Sequence, residues 1–179
     1  MKSLKITFCM VLILCGYKQY ANILSDTSSV RQIVVGYHMG YVQLLFSTDS
    51  NQTQWMNESD FFGMGFPIGI TFNTPGKWKF DLEVVPFLNP HLGTGKPYQN
   101  HLLFHPGALR SLGHNWTFGA RLAFELGNDQ FGFTPLLNKS FPLGKRSSFF
   151  MELVAPMRFG PSKVSSFHQL GGLHLGFAF

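Results

Sequence analysis

Large apolar residues recur at every second position along most of the chain after about residue 32. The clearest segment is 115–126, where Trp116, Phe118, Leu122 and Phe124 alternate with small or polar residues such as Arg121. A period of two is the pattern of a β-strand, because successive side chains point to opposite faces of a sheet. The same alternation predicts seven further strands, at 32–46, 61–73, 78–88, 101–111, 130–141, 149–160 and 167–179.

Prolines and connections add detail to these eight segments. Pro106 and Pro135 interrupt two of them, and proline within a strand favours a sheet edge or a bulge.

Long polar connections at 47–60 and 89–100 follow odd-numbered strands, whereas the turn at 74–77 follows an even-numbered one and is short. This arrangement predicts an up-and-down antiparallel sheet with different ends.

The residues opposite the apolar face distinguish two architectures that the alternation allows. A soluble sandwich or lipocalin-like barrel turns its bulky face inward, whereas a membrane barrel turns that face outward to lipid. The opposite face carries few charges, near sign balance, among many glycines, whereas a soluble exterior would carry more charge. We therefore expect these charges to form a structural network inside a lumen, with the arginines paired to the acids. The network residues are Asp81, Glu83, Arg121, Glu125, Glu152 and Arg158, joined by the lumen histidines His38, His105, His168 and His174.

The composition agrees with a membrane barrel. Charged residues make up 13% of the chain, about half the roughly 25% usual for soluble domains. The longest nearly uncharged apolar run, 6–16, is too short for a membrane-spanning helix of about twenty residues. The alternating segments are about eleven to fifteen residues long, enough for the roughly 9–11 residues that a tilted membrane strand needs. The prediction is an all-β, eight-stranded antiparallel up-and-down transmembrane β-barrel.

The first 21 residues have the pattern of a secretory signal peptide, which places the barrel domain at 22–179. Lys2 and Lys5 precede an apolar stretch of suitable length, and Ala21 ends the segment. A lipoprotein signal ending at Cys15 is an alternative. Removal of 1–21 takes away both cysteines and three of the fourteen basic residues, leaving eleven against nine acids. The high pI therefore gives little support to nucleic-acid binding.

The last strand carries the most specific motif. It ends with Leu175, Phe177 and Phe179 alternating with small residues. Together with the signal peptide and the even strand count, this pattern resembles small bacterial outer-membrane β-barrels. The resemblance implies that these three residues are the assembly signal read by the outer-membrane barrel assembly machinery. It also implies a location in the cell outer membrane, in contact with outer-membrane lipid, with both chain termini in the periplasm.

No phosphate-binding loop, zinc motif or nucleophile elbow occurs, so we expect no cofactor, no metal and no enzymatic activity. The expected role is structural, adhesive or in surface interaction, with a ligand that the sequence does not identify. One alternative is a pore or transporter for small solutes. Another is a lipid A-modifying enzyme that would use Ser165 or Ser166 with His168, oriented by Glu152.

Overall fold

Eight antiparallel strands form the described part of the chain. The structure is a computed structural model that describes residues 33–49, 52–56, 58, 63–89, 99–126, 130–160 and 167–179. The predicted signal peptide at 1–21 lies outside these residues. The strands are β1 (Val34–Thr48), β2 (Met64–Gly65 and Ile68–Asn73), β3 (Trp78–Asn89), β4 (Gln99–Gly113), β5 (Trp116–Leu126), β6 (Phe131–Pro142), β7 (Ser148–Val154 and Met157–Phe159) and β8 (Phe167–Ala178).

Each strand pairs with its neighbours in sequence, and the last strand pairs with the first. β8 lies antiparallel to β1, with Met39 opposite Phe177 and Tyr41 opposite Leu175. Two backbone hydrogen bonds between Tyr37 and Phe179 extend this seam to the end of the chain. Among the described residues, closure pairs each of the eight barrel strands on both sides, which satisfies the backbone groups that an open edge would expose. The predicted eight-stranded antiparallel barrel is confirmed.

The prolines do not mark edges or bulges, contrary to the sequence prediction. Pro106 faces Leu82 on β3, and the register between β4 and β5 is unchanged on either side of it. Pro135 faces Ala120 on β5, and its carbonyl accepts a hydrogen bond from the backbone of Ala155. A proline lacks only the donor of its residue, so each strand loses one ladder bond and keeps its register.

The two ends of the barrel differ. Three turns join β2 to β3, β4 to β5 and β6 to β7 at the end that we call the turn end. His114 and Asn115, in the second turn, have φ angles of 49° and 61°, the combination that a tight type I′ hairpin needs. The opposite, loop end holds the connections after odd-numbered strands. There a short extra strand, Thr53–Trp55, pairs with Phe46–Thr48 of β1, so the predicted loop 47–60 is partly a β-hairpin.

Side chains divide by face as the period-two pattern predicts. Along β5, exposed Phe118, Leu122 and Phe124 alternate with buried Thr117 and Arg121. Large apolar side chains therefore cover the outside of the barrel, while the inside holds buried polar and charged side chains together with a small cluster of buried apolar ones. No helix in the described part of the chain is long and apolar enough to cross a membrane.

Candidate functional site in the barrel lumen

Arg121 lies at the centre of the lumen and binds three carboxylates. Its Nε donates to Asp81 at 2.7 Å, and its Nη1 donates to Glu152 at 2.6 Å. Its Nη2 forms an ion pair with Glu83 at 3.6 Å. Asp81 and Glu83 belong to β3 and Glu152 belongs to β7, so one side chain from β5 links three strands across the barrel. All four groups are at most 4% exposed.

Three histidines surround this centre. His38 of β1 places its Nε2 3.2 Å from Glu83 Oε2 and its Nδ1 3.3 Å from the Thr71 hydroxyl, which donates to Asp81. His174 of β8 lies 3.2 Å from Glu152 through its Nδ1. The His105 Nδ1 of β4 lies 3.2 Å from Glu83. Each of the inner carboxylates thus has at least two polar partners.

Arg158 differs from the sequence expectation that it would pair with an acid. No carboxylate in the described residues forms an ion pair with it. Its Nη1 donates to the Thr134 hydroxyl and to the Met157 carbonyl, both at 3.2 Å. Its Nη2 lies 3.4 Å from His105 Nε2, which accepts if His105 is neutral with its proton on Nδ1. Its hydrogen-bond partners are therefore all neutral, although Glu125 attracts it electrostatically.

These contacts join into one network to which all eight strands contribute. The members are His38 (β1), Thr71 (β2), Asp81 and Glu83 (β3), His105 (β4), Arg121 (β5), Thr134 and Asn138 (β6), Glu152 and Arg158 (β7) and His174 (β8). We call it the lumen network. Thr71, Thr134 and Asn138 were not singled out in the sequence, although their position on the small-residue face would have placed them inside.

Two of the residues expected in the network lie apart from it. Glu125 is half-buried towards the loop end, where one of its oxygens lies 2.9 Å from His101 Nδ1. His168, also half-buried, stands opposite Arg158 in the register between β7 and β8. The period-two alternation of the sequence placed both residues on the inner face, but it does not give their position along the barrel axis.

Glycines make room for the histidine rings. A Cβ built on Gly40 would lie 2.6 Å from His174 Nε2, and one built on Gly69 would collide with the His38 ring. Larger residues at these positions would displace the rings, because real Cβ atoms do not approach so closely. The glycines opposite the apolar face therefore set where the polar side chains lie.

One group of residues has the composition of a metal site. Ligand atoms of His38, Asp81 and Glu83 all lie within 4.8 Å of one another. The same carboxylates already bind Arg121, and His38 already contacts Thr71. A guanidinium at this position opposes a second cation, so the group is better described as part of the lumen network.

The residues of the enzyme alternative are not brought together in the described part of the chain. Ser165 and Ser166 lie outside the described residues. Glu152, which would have to orient His168, is instead bound by Arg121, His174 and Asn138.

The three residues of the expected assembly signal lie along the outer face of β8. Phe177 and Phe179 are exposed there, and Leu175 is partly covered. Phe177 packs edge-on against Phe149 with ring centres 5.7 Å apart.

A closed eight-stranded antiparallel barrel with polar groups inside and large apolar groups outside is the architecture of small outer-membrane β-barrel proteins. Two solved structures resemble the chain. Neisserial surface protein A (NspA) has a TM-score of 0.57 and 14% identity, covering 80% of this chain and 95% of that one. Ail, the attachment invasion locus protein of Yersinia pestis in complex with the heparin analogue sucrose octasulfate, has a TM-score of 0.40 and 9% identity, covering 83% and 99%. No family model and no curated protein matches the sequence.

Proposed function

We propose that the chain is an integral outer-membrane β-barrel, delivered by the signal peptide at 1–21, whose lumen network closes the barrel to solutes. Its role is structural or in surface interaction at the loop end, without enzymatic activity. The observation that carries this proposal is the distribution of side chains: charged and histidine residues inside, and large apolar residues outside, around a closed barrel. An exterior of this kind is stable in lipid and would aggregate in water.

Aromatic clusters at both ends of the barrel support a membrane setting. Near the loop end, Phe159 contacts Phe131, Phe133 and Phe167, with ring centres 5.1 to 6.3 Å apart. Near the turn end, Trp78 and Trp116 are exposed. The Arg110 guanidinium lies 5.8 Å from the centre of the Trp78 ring, and the Lys139 ammonium lies 5.0 Å from the centre of the Trp116 ring. Aromatic and basic residues at two levels are typical of the two interfaces of a bilayer.

The lumen network supports closure. An eight-stranded barrel has an interior just wide enough for side chains to fill. Here Arg121 and Arg158 reach across part of that interior and bind groups on strands two or three positions away around the barrel. A solute passing through would have to displace buried charges from their partners, which costs several kcal/mol for each ion.

The loop end supports a surface role. The hairpin that extends β1 displays Trp55 and Met56, which are 54% and 40% exposed. Exposed aromatic residues are frequent anchors of binding surfaces. NspA is described as a surface protein, which agrees with this proposal for a chain of the same fold.

Cell fractionation combined with a gel assay tests the proposal. The full chain is expressed with its leader in a Gram-negative host, and the membranes are separated. We expect the protein in the outer membrane, with a band that migrates differently when the sample is not heated, as folded barrels do. A soluble periplasmic protein with no heat-dependent shift would contradict it and would favour a lipocalin-like binder.

A further inference from the structure

The lumen contains a cavity of about 380 Å³ on the loop-end side of Arg121. Its walls are apolar and come from several strands: Val42, Val85, Leu103, Val154 and Leu170. Its volume falls within the roughly 300–1,000 Å³ of small-molecule sites. The cavity therefore has the size and the lining of a pocket for a small apolar body.

Polar groups occupy one side and the bottom of this cavity. Arg158, His105 and His174 all line it, and each is at most 7% exposed. His174 Nε2 has no hydrogen-bond partner in the part of the chain that the structure describes. The three hydrogen bonds of Arg158 use three of the five N–H groups of its guanidinium. Within the described residues, two N–H groups of this cation thus have no hydrogen-bond partner and are available to a ligand.

The charges around the cavity favour an anion at Arg158. Two carboxylates line the cavity, but Glu83 is bound by Arg121, His38 and His105, and Glu125 is bound by His101. Among the described residues no carboxylate forms a direct ion pair with Arg158, although Glu125 attracts it electrostatically. A buried cation without a hydrogen-bonded counter-ion is unfavourable, and an anionic group bound directly to it would reduce that penalty.

We propose that the luminal cavity binds a small amphipathic monoanion, with its single anionic group on Arg158 and its apolar body along Val85, Leu103 and Val154. The mouth of the cavity, at Ser47, Gln130 and His168, lies at the loop end, so the ligand enters from that side. The lumen network below it blocks further passage. This binding depends on the barrel fold and not on the cellular location or the surface role proposed above.

Calorimetric titration with octanoate tests the proposal. The full barrel is refolded into nanodiscs of a zwitterionic phosphatidylcholine, and empty discs supply the background of partition into lipid. We expect saturable binding that Arg158→Gln weakens by about tenfold or more, because a charge-assisted hydrogen bond is lost. Arg110→Gln removes the same charge from the outer surface and should leave the affinity within about threefold. 1-Octanol, which lacks the charge, should bind more weakly and should not respond to Arg158→Gln.

Two further variants keep the test decisive. Val154→Phe fills the cavity without changing its charge and should abolish octanoate binding while the heat-dependent gel shift is retained. Arg158→Lys keeps the charge and should recover part of the affinity that Arg158→Gln loses. Equal octanoate affinity in the wild type and in Arg158→Gln, or no saturable binding in the wild type, would overturn the proposal. So would equal binding of octanol and octanoate.

Discussion

Arg121 links more charged groups than any other described residue in the lumen. It touches Asp81, Glu83 and Glu152, and its side chain is 5% exposed. A buried ion pair is often no more stabilising than an apolar replacement of the whole group, whereas removing one partner leaves the others uncompensated. The three carboxylates would then be held within a narrow space without their common cation.

Replacing Arg121 with methionine should therefore destabilise the barrel strongly. We expect the free energy of unfolding of Arg121→Met to fall by about 3–5 kcal/mol, because buried carboxylates lose their counter-charge. Urea unfolding in lipid or detergent, followed by the fluorescence of the three tryptophans, measures it.

Arg110→Met is the matched control for this measurement. Arg110 is exposed and lies over the Trp78 ring at the turn end. Exposed cation–π contacts contribute about 0.5–1 kcal/mol, so its loss should be small. If the two variants lose the same stability, Arg121 does not hold the network together.

The period-two alternation of the sequence predicted that the charged residues of the lumen network face inward, but it did not predict which of them pair with each other. Alternation with a period of two gives the face of each side chain and nothing about its height or reach across the barrel. Asp81 and Arg121 are forty residues apart and meet because both stand opposite Gly107, which has no side chain to keep them apart. Arg158 shares the same face but finds no acid among the described residues. Such pairings depend on register, which turns and closure set.

At the scale of the element, β8 closes the barrel with its backbone and carries the residues of the expected assembly signal on its outer face. Its backbone closes the barrel against β1, ending with the two hydrogen bonds between Phe179 and Tyr37. Its outward side chains, Phe177 and Phe179, are 47% and 59% exposed. The main-chain bonds survive any substitution of these side chains except proline. Closure and the assembly signal expected from the sequence resemblance can therefore be tested separately by mutation.

Phe179→Ala should impair assembly in cells while leaving refolding in vitro nearly unchanged. The recognition role proposed for the side chain is lost, but the closing hydrogen bonds with Tyr37 remain. The folded fraction in isolated outer membranes, measured by the heat-dependent gel shift, should fall, while the yield of refolding into detergent should not.

Phe118→Ala serves as the control, since Phe118 is a comparably exposed outward phenylalanine on β5. It should assemble normally in cells. Equal assembly of both variants would remove the assembly role of the last residue, and equal loss in vitro would assign Phe179 to stability.

At the scale of the whole molecule, closure of the sheet brings together the side chains that we propose to close the lumen. All eight strands send a side chain into the lumen network, so the network ties each strand to others across the interior. The loop-end half of the lumen holds the cavity, and the network lies beneath it. In the described residues the cavity thus lies on the loop-end side of the network, and the closure proposed above would make it a pocket and not a channel.

Planar-bilayer recordings test this closure. The wild-type barrel should give no open levels of porin size, because the interior of an eight-stranded barrel is narrow and Arg121 and Arg158 reach across it. The double variant Arg121→Ala with Asp81→Ala removes a cation and an anion together and should give small but measurable conductance. Arg110→Ala changes the outer surface and should remain closed. Large open levels in the wild type would contradict closure and would restore the pore alternative.

The sequence by itself determined the strands, the face of each residue and the barrel class. The alternation shows which residues share a face of each strand. The face opposite the bulky residues carries few charges, balanced in sign, among glycines, which indicates that the bulky face points outward to lipid. The tertiary structure decided which inner residues meet. It joined Arg121 to three acids and left Arg158 without one beside an apolar cavity. The physical reason is that a local period fixes orientation, whereas distance across a lumen depends on register and tilt that arise only when the barrel closes.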